Sequence, residues 1–97
     1  MYKLQCYDSG TEWIEVPSPA DNLVHISAGL TRVVVVSDDF KAWMRNGISA
    51  DTPAGYYWVR LEGTFREIRI YETTTALVLY GLKTPSNSVY YQKISFT

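Results

Sequence analysis

The sequence predicts an all-β domain, mainly an antiparallel sandwich or barrel, with one short helix near residues 38–46. Three observations predict this class. Short segments rich in Val, Ile, Tyr and Trp recur along the chain, and turn-forming Gly, Pro, Asn and Asp residues separate them. Only one brief segment has the spacing of an amphipathic helix. A jelly-roll connectivity is one form that such a sandwich takes, and an α+β sheet is the alternative.

The first quarter of the chain predicts two strands joined by a turn. Tyr2, Leu4 and Cys6 alternate with Lys3, Gln5 and Tyr7, and a second alternation runs over residues 12–16. Asp8-Ser9-Gly10 lies between them and is a turn sequence. Pro17-Ser18-Pro19 then interrupts the pattern, since proline lacks the amide that a sheet ladder needs.

A second strand pair is predicted at residues 23–27 and 30–36. Between them lie Ala28 and Gly29, and the glycine is expected to supply the positive φ of a tight hairpin. The run from Val33 to Val36 is β-branched throughout. Such a run predicts a strand that is buried on both faces.

Residues 38–46 carry the helix prediction. Ser37 is a favoured N-cap residue, and the acidic Asp38 and Asp39 suit the positive end of a helix dipole. Gly47 is typical of a helix end. Helical spacing would place three apolar side chains on one face: Phe40, Trp43 and Met44.

Four further strands are predicted after a loop at residues 46–55, and a turn at Glu62-Gly63 is expected to pair the first two as a hairpin. In that hairpin Leu61 faces Thr64, and every second residue points to the same side. One side is core, and the other mixes aromatic and charged side chains, which is typical either of an interface or of a solvated face whose cross-strand pairs stabilise the sheet. The four strands are predicted at residues 56–61, 65–72, 75–82 and 88–96. The mixed face supplies the predicted partner-binding residues, which are Tyr56, Trp58, Arg60, Phe65, Arg69 and Tyr71.

The composition indicates one β-rich domain, residues 1–97, without a strong charge. The 97 residues fit the usual size of one domain, and nine basic residues nearly cancel ten acidic ones. Nucleic acid is therefore not an expected partner. Cys6 is the single cysteine, which excludes an internal disulfide framework. No membrane span and no signal peptide are predicted, so synthesis in the cytoplasm is expected.

No set of residues predicts catalysis, a metal or a cofactor. His25 is the sole histidine, and Ser27 lies about 7 Å further along the same face of its strand, too far for a direct hydrogen bond. Asp38 and Asp39 are adjacent carboxylates without the loop pattern of a calcium site. The chain also lacks the glycine-rich, hydrolase and zinc-protease motifs. We therefore expect a protein that is not an enzyme.

These observations favour a non-enzymatic structural or interaction subunit. Within this class we predict an accessory virion protein, a phage head-decoration or tail component, that docks on a larger assembly. The expected partner is another protein or a second copy of the chain. Its contacts are expected from the 46–55 loop, the 83–88 loop and the mixed face. The alternative is a carbohydrate-binding β-sandwich module, in which Tyr56, Trp58 and Tyr71 stack on a sugar ligand.

Overall fold

The computed structural model describes residues 5–8, 12–15, 18–46 and 58–96. These ranges contain nine β-strands in three antiparallel sheets, and none of their residues is helical. The predicted all-β class is confirmed. No described segment is a helix long and apolar enough to cross a membrane. The strands are β1 (Gln5–Asp8), β2 (Glu12–Glu15), β3 (Leu23–Ala28), β4 (Arg32–Ser37), β5 (Ala42–Asn46), β6 (Trp58–Leu61), β7 (Phe65–Glu72), β8 (Ala76–Lys83) and β9 (Val89–Ser95).

The four-stranded sheet is a meander in which β3, β4, β5 and β6 follow one another both in sequence and in space. Its second strand is the valine run, and Val34, Val35 and Val36 are fully buried. The burial on both faces that these valines predict is confirmed. β-Branched side chains pack well on a pleated surface, so this strand forms the centre of the fold.

The helix predicted near residues 38–46 is wrong, because a turn follows Ser37 and β5 follows the turn. The Ser37 amide donates to the Lys41 carbonyl at 2.8 Å, and the Ser37 hydroxyl donates to the Asp39 carboxylate. Phe40 has a positive φ of 67°, which a right-handed helix does not allow. Serine and aspartate favour turns for the same reason that they cap helices, which is that their side chains form hydrogen bonds with the nearby backbone. These residues therefore join β4 to β5.

The hairpin predicted at Glu62-Gly63 is also wrong, because β6 pairs with β5 and β7 pairs with β8. Residues 62–64 instead carry the chain from the four-stranded sheet to the three-stranded sheet of β7, β8 and β9. The Phe65 amide donates to the Phe40 carbonyl at 2.8 Å, which begins β7 beside the β4–β5 turn. Turn residues specify a reversal of the chain. The partner of each strand depends on which apolar faces can be buried together.

The main core lies between the four-stranded and the three-stranded sheets. Apolar side chains of β4 and β5 pack against those of β7 and β8, and all are at most 7% exposed. A fully buried side chain of this kind contributes roughly 1.5 to 3 kcal/mol to stability. The buried members are Val34, Val36, Ala42, Phe65, Ile68, Ile70, Leu77 and Leu79.

Glu72, at the end of β7, fastens the β3–β4 turn to the three-stranded sheet. Its side chain is only 3% exposed. It accepts bonds from the Thr31 amide (2.9 Å) and hydroxyl (2.6 Å) and from the Arg32 amide (3.1 Å) and guanidinium (2.7 Å). Burial raises the pKa of Glu72, but these bonds and the Arg32 charge outweigh burial, so its pKa lies below its ordinary value.

Gly29 is required by this contact. A Cβ at Gly29 would lie 2.6 Å from the Glu72 Oε1 atom, so a side chain there would push the carboxylate away. The backbone at Gly29 is not in the left-handed region, and the positive φ expected for it is therefore wrong. The glycine permits a close approach between the two sheets.

Candidate interaction surface

The side of the three-stranded sheet that faces away from the core carries three tyrosines. Because successive side chains of a strand point to opposite faces, the neighbours of the buried residues point outward. Cross-strand pairing orders these outward residues into rows. The rows are Glu67, Leu82 and Val89; Arg69, Tyr80 and Tyr91; and Tyr71, Val78 and Lys93. We call these nine residues the tyrosine face.

The tyrosine face leaves much apolar surface in water. Tyr71 is 63% exposed, Tyr80 42%, Tyr91 64% and Val89 79%. Its charged residues lie at the margins of this apolar surface, and the ion pair between Arg69 and Glu67 is long, at 3.9 Å, with both side chains exposed. Such a pair contributes little to stability. An exposed apolar patch with a charged rim is typical of an interaction surface.

His25 of β3 lies close enough to the rim of the tyrosine face to sense its charges. Burial lowers the pKa of His25, the charge of Arg69 lowers this pKa further, and the charge of Glu67 opposes both effects. The Nδ1 atom of His25 is buried and has no hydrogen-bond partner among the described residues. The Ser27 hydroxyl accepts the Ile70 amide at 3.0 Å, so it serves to join β3 to β7.

The six predicted partner-binding residues do not share one face. Arg69 and Tyr71 lie on the tyrosine face. The single face was expected from a β6–β7 hairpin, and the actual pairing divides it between two sheets. The other four residues lie elsewhere: Trp58 and Arg60 in β6, Phe65 fully buried in the core, and Tyr56 outside the described residues.

Tyr80, Tyr91 and Val89 were not predicted from the sequence. The signal that places them is the register of the meander formed by β7, β8 and β9. Turns at residues 73–75 and 84–88 connect these strands, and pairing outward from the turns sets Tyr80 and Tyr91 beside Arg69.

The four-stranded sheet has a second apolar face, opposite the main core. Leu23, Val33 and Val35 are buried there, and Trp43 and Trp58 pack against them. Trp58 is therefore a packing residue of this second cluster. Both faces of the four-stranded sheet carry buried apolar side chains.

A shallow groove borders the second cluster. It is lined by Trp43 together with polar side chains that include Asp21, Asn22 and Asp39. An aromatic ring beside hydrogen-bonding groups is the chemistry of many small-ligand sites. No cluster of three or more His, Cys, Asp or Glu side chains suited to a metal ion occurs in the part of the chain that the structure describes.

Comparison with known proteins adds a partial similarity. Over 50 residues the chain is 28% identical to "Tectonin beta-propeller repeat-containing protein 1" of Mus musculus. The matched segment is 52% of this chain and 4% of that protein, so the chain spans a small part of its length. No family model and no solved structure matches the sequence.

Proposed function

We propose that this chain is a non-enzymatic interaction module that docks on another protein through the tyrosine face. The observation that carries the proposal is the exposure of Tyr71, Tyr91 and Val89, each at least 63%, on one continuous sheet face. Burying such surface contributes about 25 cal/mol per Å² of apolar area. Tyrosine is enriched at the energetic centres of protein interfaces, because its ring is large while its hydroxyl keeps a polar partner.

The composition of the tyrosine face favours a protein over a sugar or a nucleic acid. Val78 and Val89 stand among the tyrosines, and aliphatic side chains offer no ring on which a sugar or a base could stack. The charged margin carries both signs, with Arg69 and Lys93 against Glu67. A phosphate backbone requires a more uniformly basic track.

The four-stranded sheet suggests the scaffold on which this surface is built. A four-stranded antiparallel sheet is the repeating unit of β-propellers, which stack such blades around a central channel. The meander from β3 to β6 has this composition, and buried apolar side chains lie on both of its faces. The similarity to a protein named for β-propeller repeats agrees with it. We infer a blade-like unit whose first face is covered by the three-stranded sheet.

The assembly that we propose as the partner is a virion, on which the chain would be a head-decoration or tail component. The support for this choice is the sequence alone, which is rich in β-strand patterns and contains no catalytic motif. A sugar is the second candidate ligand, and the groove at Trp43 favours it. The sugar platform expected from Tyr56, Trp58 and Tyr71 does not support it, since Trp58 and Tyr71 lie in different sheets.

Photo-crosslinking in the cell that makes the protein tests the docking surface. A photoreactive residue replaces Tyr71, and the matched control replaces Leu30, which is 60% exposed on the β3–β4 turn. We expect a cross-linked protein at position 71 that is absent at position 30. That protein, once purified, should bind the Tyr71→Ala/Tyr80→Ala variant about tenfold more weakly than the wild type or worse. Equal binding by the double variant would contradict docking through the tyrosine face.

A glycan array with the wild type and Trp43→Ala addresses the second candidate. Specific sugar binding that Trp43→Ala abolishes, together with no cross-linked protein at position 71, would replace the protein partner by a sugar. Circular dichroism of Trp43→Ala is the necessary control, because Trp43 also packs on the second apolar cluster.

A further inference from the structure

β9 forms an edge of the three-stranded sheet, and that edge is open in the part of the chain that the structure describes. Its residues, Val89–Ser95, pair with β8 on one side, and no other strand of the described ranges pairs with them. The opposite edge differs, because β3 lies along β7 and the Ser27 hydroxyl accepts the Ile70 amide. A long unpaired edge strand is a template for another strand.

The hydrogen bonds at the two ends of the β8–β9 ladder show which backbone groups face the open side. The Lys83 amide donates to the Ser88 carbonyl at 2.9 Å, and the Phe96 amide donates to the Thr75 carbonyl at 2.8 Å. Bonded and non-bonded pairs alternate along an antiparallel ladder, and this register has no shift. Even-numbered residues of β9 therefore bond to β8. The amides and carbonyls that face the open side belong to Val89, Tyr91, Lys93 and Ser95.

The side chains of β9 give its edge little protection. All of them are exposed except Tyr90, which is half-buried. Natural edge strands are commonly protected by shortness, a bulge, a proline or charged side chains, lysine in particular. β9 is 7 residues long, contains no proline, and has Lys93 as its single charged residue. A second strand can approach this edge without meeting a like charge, provided that the two lysines do not face each other.

We propose that two copies of this chain associate through β9, paired antiparallel about a two-fold axis at Gln92. Tyr91 of each copy faces Lys93 of the other, and Val89 faces Ser95. These facing pairs exchange roughly eight backbone hydrogen bonds. The two three-stranded sheets become one continuous sheet, and the two tyrosine faces meet across the junction.

The register follows from backbone geometry and from charge. Only odd-numbered residues have open-side groups, so each bonded pair must join two of them. If the partner strand moves by two residues in one direction, Lys93 of one copy faces Lys93 of the other, and the two charges repel. The opposite shift leaves Ser95 beyond the end of the facing strand. The proposed register has full overlap and sets each Lys93 ammonium beside a Tyr91 ring, where a cation–π contact is favourable.

Self-complementarity is the reason for a second copy as the occupant. Tyr91 and Lys93 lie two positions apart on one strand, so the two-fold axis satisfies both with the same pair of residues. The dimer uses the backbone edge of β9, whereas docking of another protein uses the side chains of the tyrosine face. Failure of cross-linking at position 71 therefore leaves the dimer proposal intact. Failure of the dimer experiments likewise leaves docking through the tyrosine face intact.

Amide hydrogen exchange on the full chain tests the pairing directly. At high protein concentration we expect slow exchange at odd-numbered and even-numbered residues of β9 alike. On dilution, the amides of Tyr91 and Lys93 should exchange about tenfold faster or more, while those of Gln92 and Ile94 stay protected by β8. Exchange at Tyr91 and Lys93 that does not depend on concentration, up to the millimolar range, would overturn the proposal.

Charge substitutions test the register, with light scattering as the measurement. The wild type should reach twice its 11.1 kDa chain mass. Tyr91→Lys sets lysines opposite each other in both pairs, and its dissociation constant should rise on the order of tenfold or more. Tyr71→Lys is the matched control, because Tyr71 is 63% exposed against 64% for Tyr91 but lies in β7, away from the edge.

The double variant Tyr91→Lys/Lys93→Glu sets each lysine against a glutamate, and we expect the dimer to return. A monomeric wild type, an equal loss in Tyr71→Lys, or no recovery in the double variant would each overturn the proposal. Slow hydrogen exchange at the Gln92 amide confirms that each variant keeps the β8–β9 pairing within its own chain.

Discussion

The two larger sheets of this protein are built from similar residues and expose them very differently. In the four-stranded sheet, β4 is buried from Val33 to Ser37, and apolar clusters lie on both faces. In the three-stranded sheet, buried Leu77 and Leu79 alternate with the outward Val78 and Tyr80. A strand with aromatic and β-branched residues at successive positions can therefore be buried on both faces or on one face only. Residue type sets the free-energy cost of exposure, and the neighbouring sheet decides which face avoids that cost.

The largest expected difference in the free energy of unfolding is between substitutions at two adjacent residues of β8, one on the covered face and one on the open face. Leu79 is 1% exposed and Tyr80 is 42% exposed. Leu79→Ala should lower the free energy of unfolding by about 2 to 5 kcal/mol, because it leaves a cavity in the main core. Tyr80→Ala should cost less than about 1 kcal/mol. Denaturant titration measures both, and similar losses would contradict the assignment of the two faces.

The second-largest loss of stability is expected from breaking the contact that Glu72 makes between the two sheets. Glu72→Gln removes a charged acceptor of four hydrogen bonds, and we expect a loss of about 2 kcal/mol. Glu67→Gln, on the same strand, removes only the 3.9 Å pair with Arg69 and should change stability by less than about 0.5 kcal/mol. Gly29→Ala should also destabilise, and less so in a Glu72→Ala background, because that change removes the Oε1 atom 2.6 Å from the added Cβ while keeping the Glu72 Cβ at 2.9 Å. Additive losses in that double variant would argue against the contact.

Acid should weaken the same contact. The pKa of Glu72 in the folded chain lies below its ordinary value of about 4.3, so the folded state favours the carboxylate. Its stabilisation is present above that pH and is lost as the pH falls through the folded pKa. The stability difference between the wild type and Glu72→Gln should therefore shrink in acid. A difference that stays constant down to the acid limit of folding would refute this linkage.

The smallest expected effect is a change in the pKa of His25, which lies beside the tyrosine face. Its pKa lies below the ordinary value of about 6.5, so stability falls as the pH drops from there through the folded pKa. Arg69→Gln removes a positive charge that lowers this pKa, and the His25 pKa should rise. Lys93→Gln, on the far strand of the same sheet, is the control. Titration of the His25 ring by nuclear magnetic resonance measures the change, and an equal rise in both variants would remove Arg69 as its cause.

Strand positions were largely predictable, because alternation and β-branched runs are local properties. The strand predicted at residues 65–72 coincides with β7, and the valine run is buried as expected. The candidate site was only partly predictable. Arg69 and Tyr71 were expected on the exposed face, but Tyr80 and Tyr91 join them through the register of β8 and β9.

The amino-acid sequence by itself determined the positions of most strands and the burial of the valine run, but not β5, which it predicted as part of a helix. Only the tertiary structure decided which strands pair. The Ser37 segment illustrates the reason, since serine and aspartate suit both a helix cap and a turn, and the strand that follows the turn pairs with β4. The segment at residues 62–64 is a second case, where a turn joins two sheets. Pairing depends on apolar faces far apart in sequence, and among the described residues it is this pairing that leaves the tyrosine face and the β9 edge open.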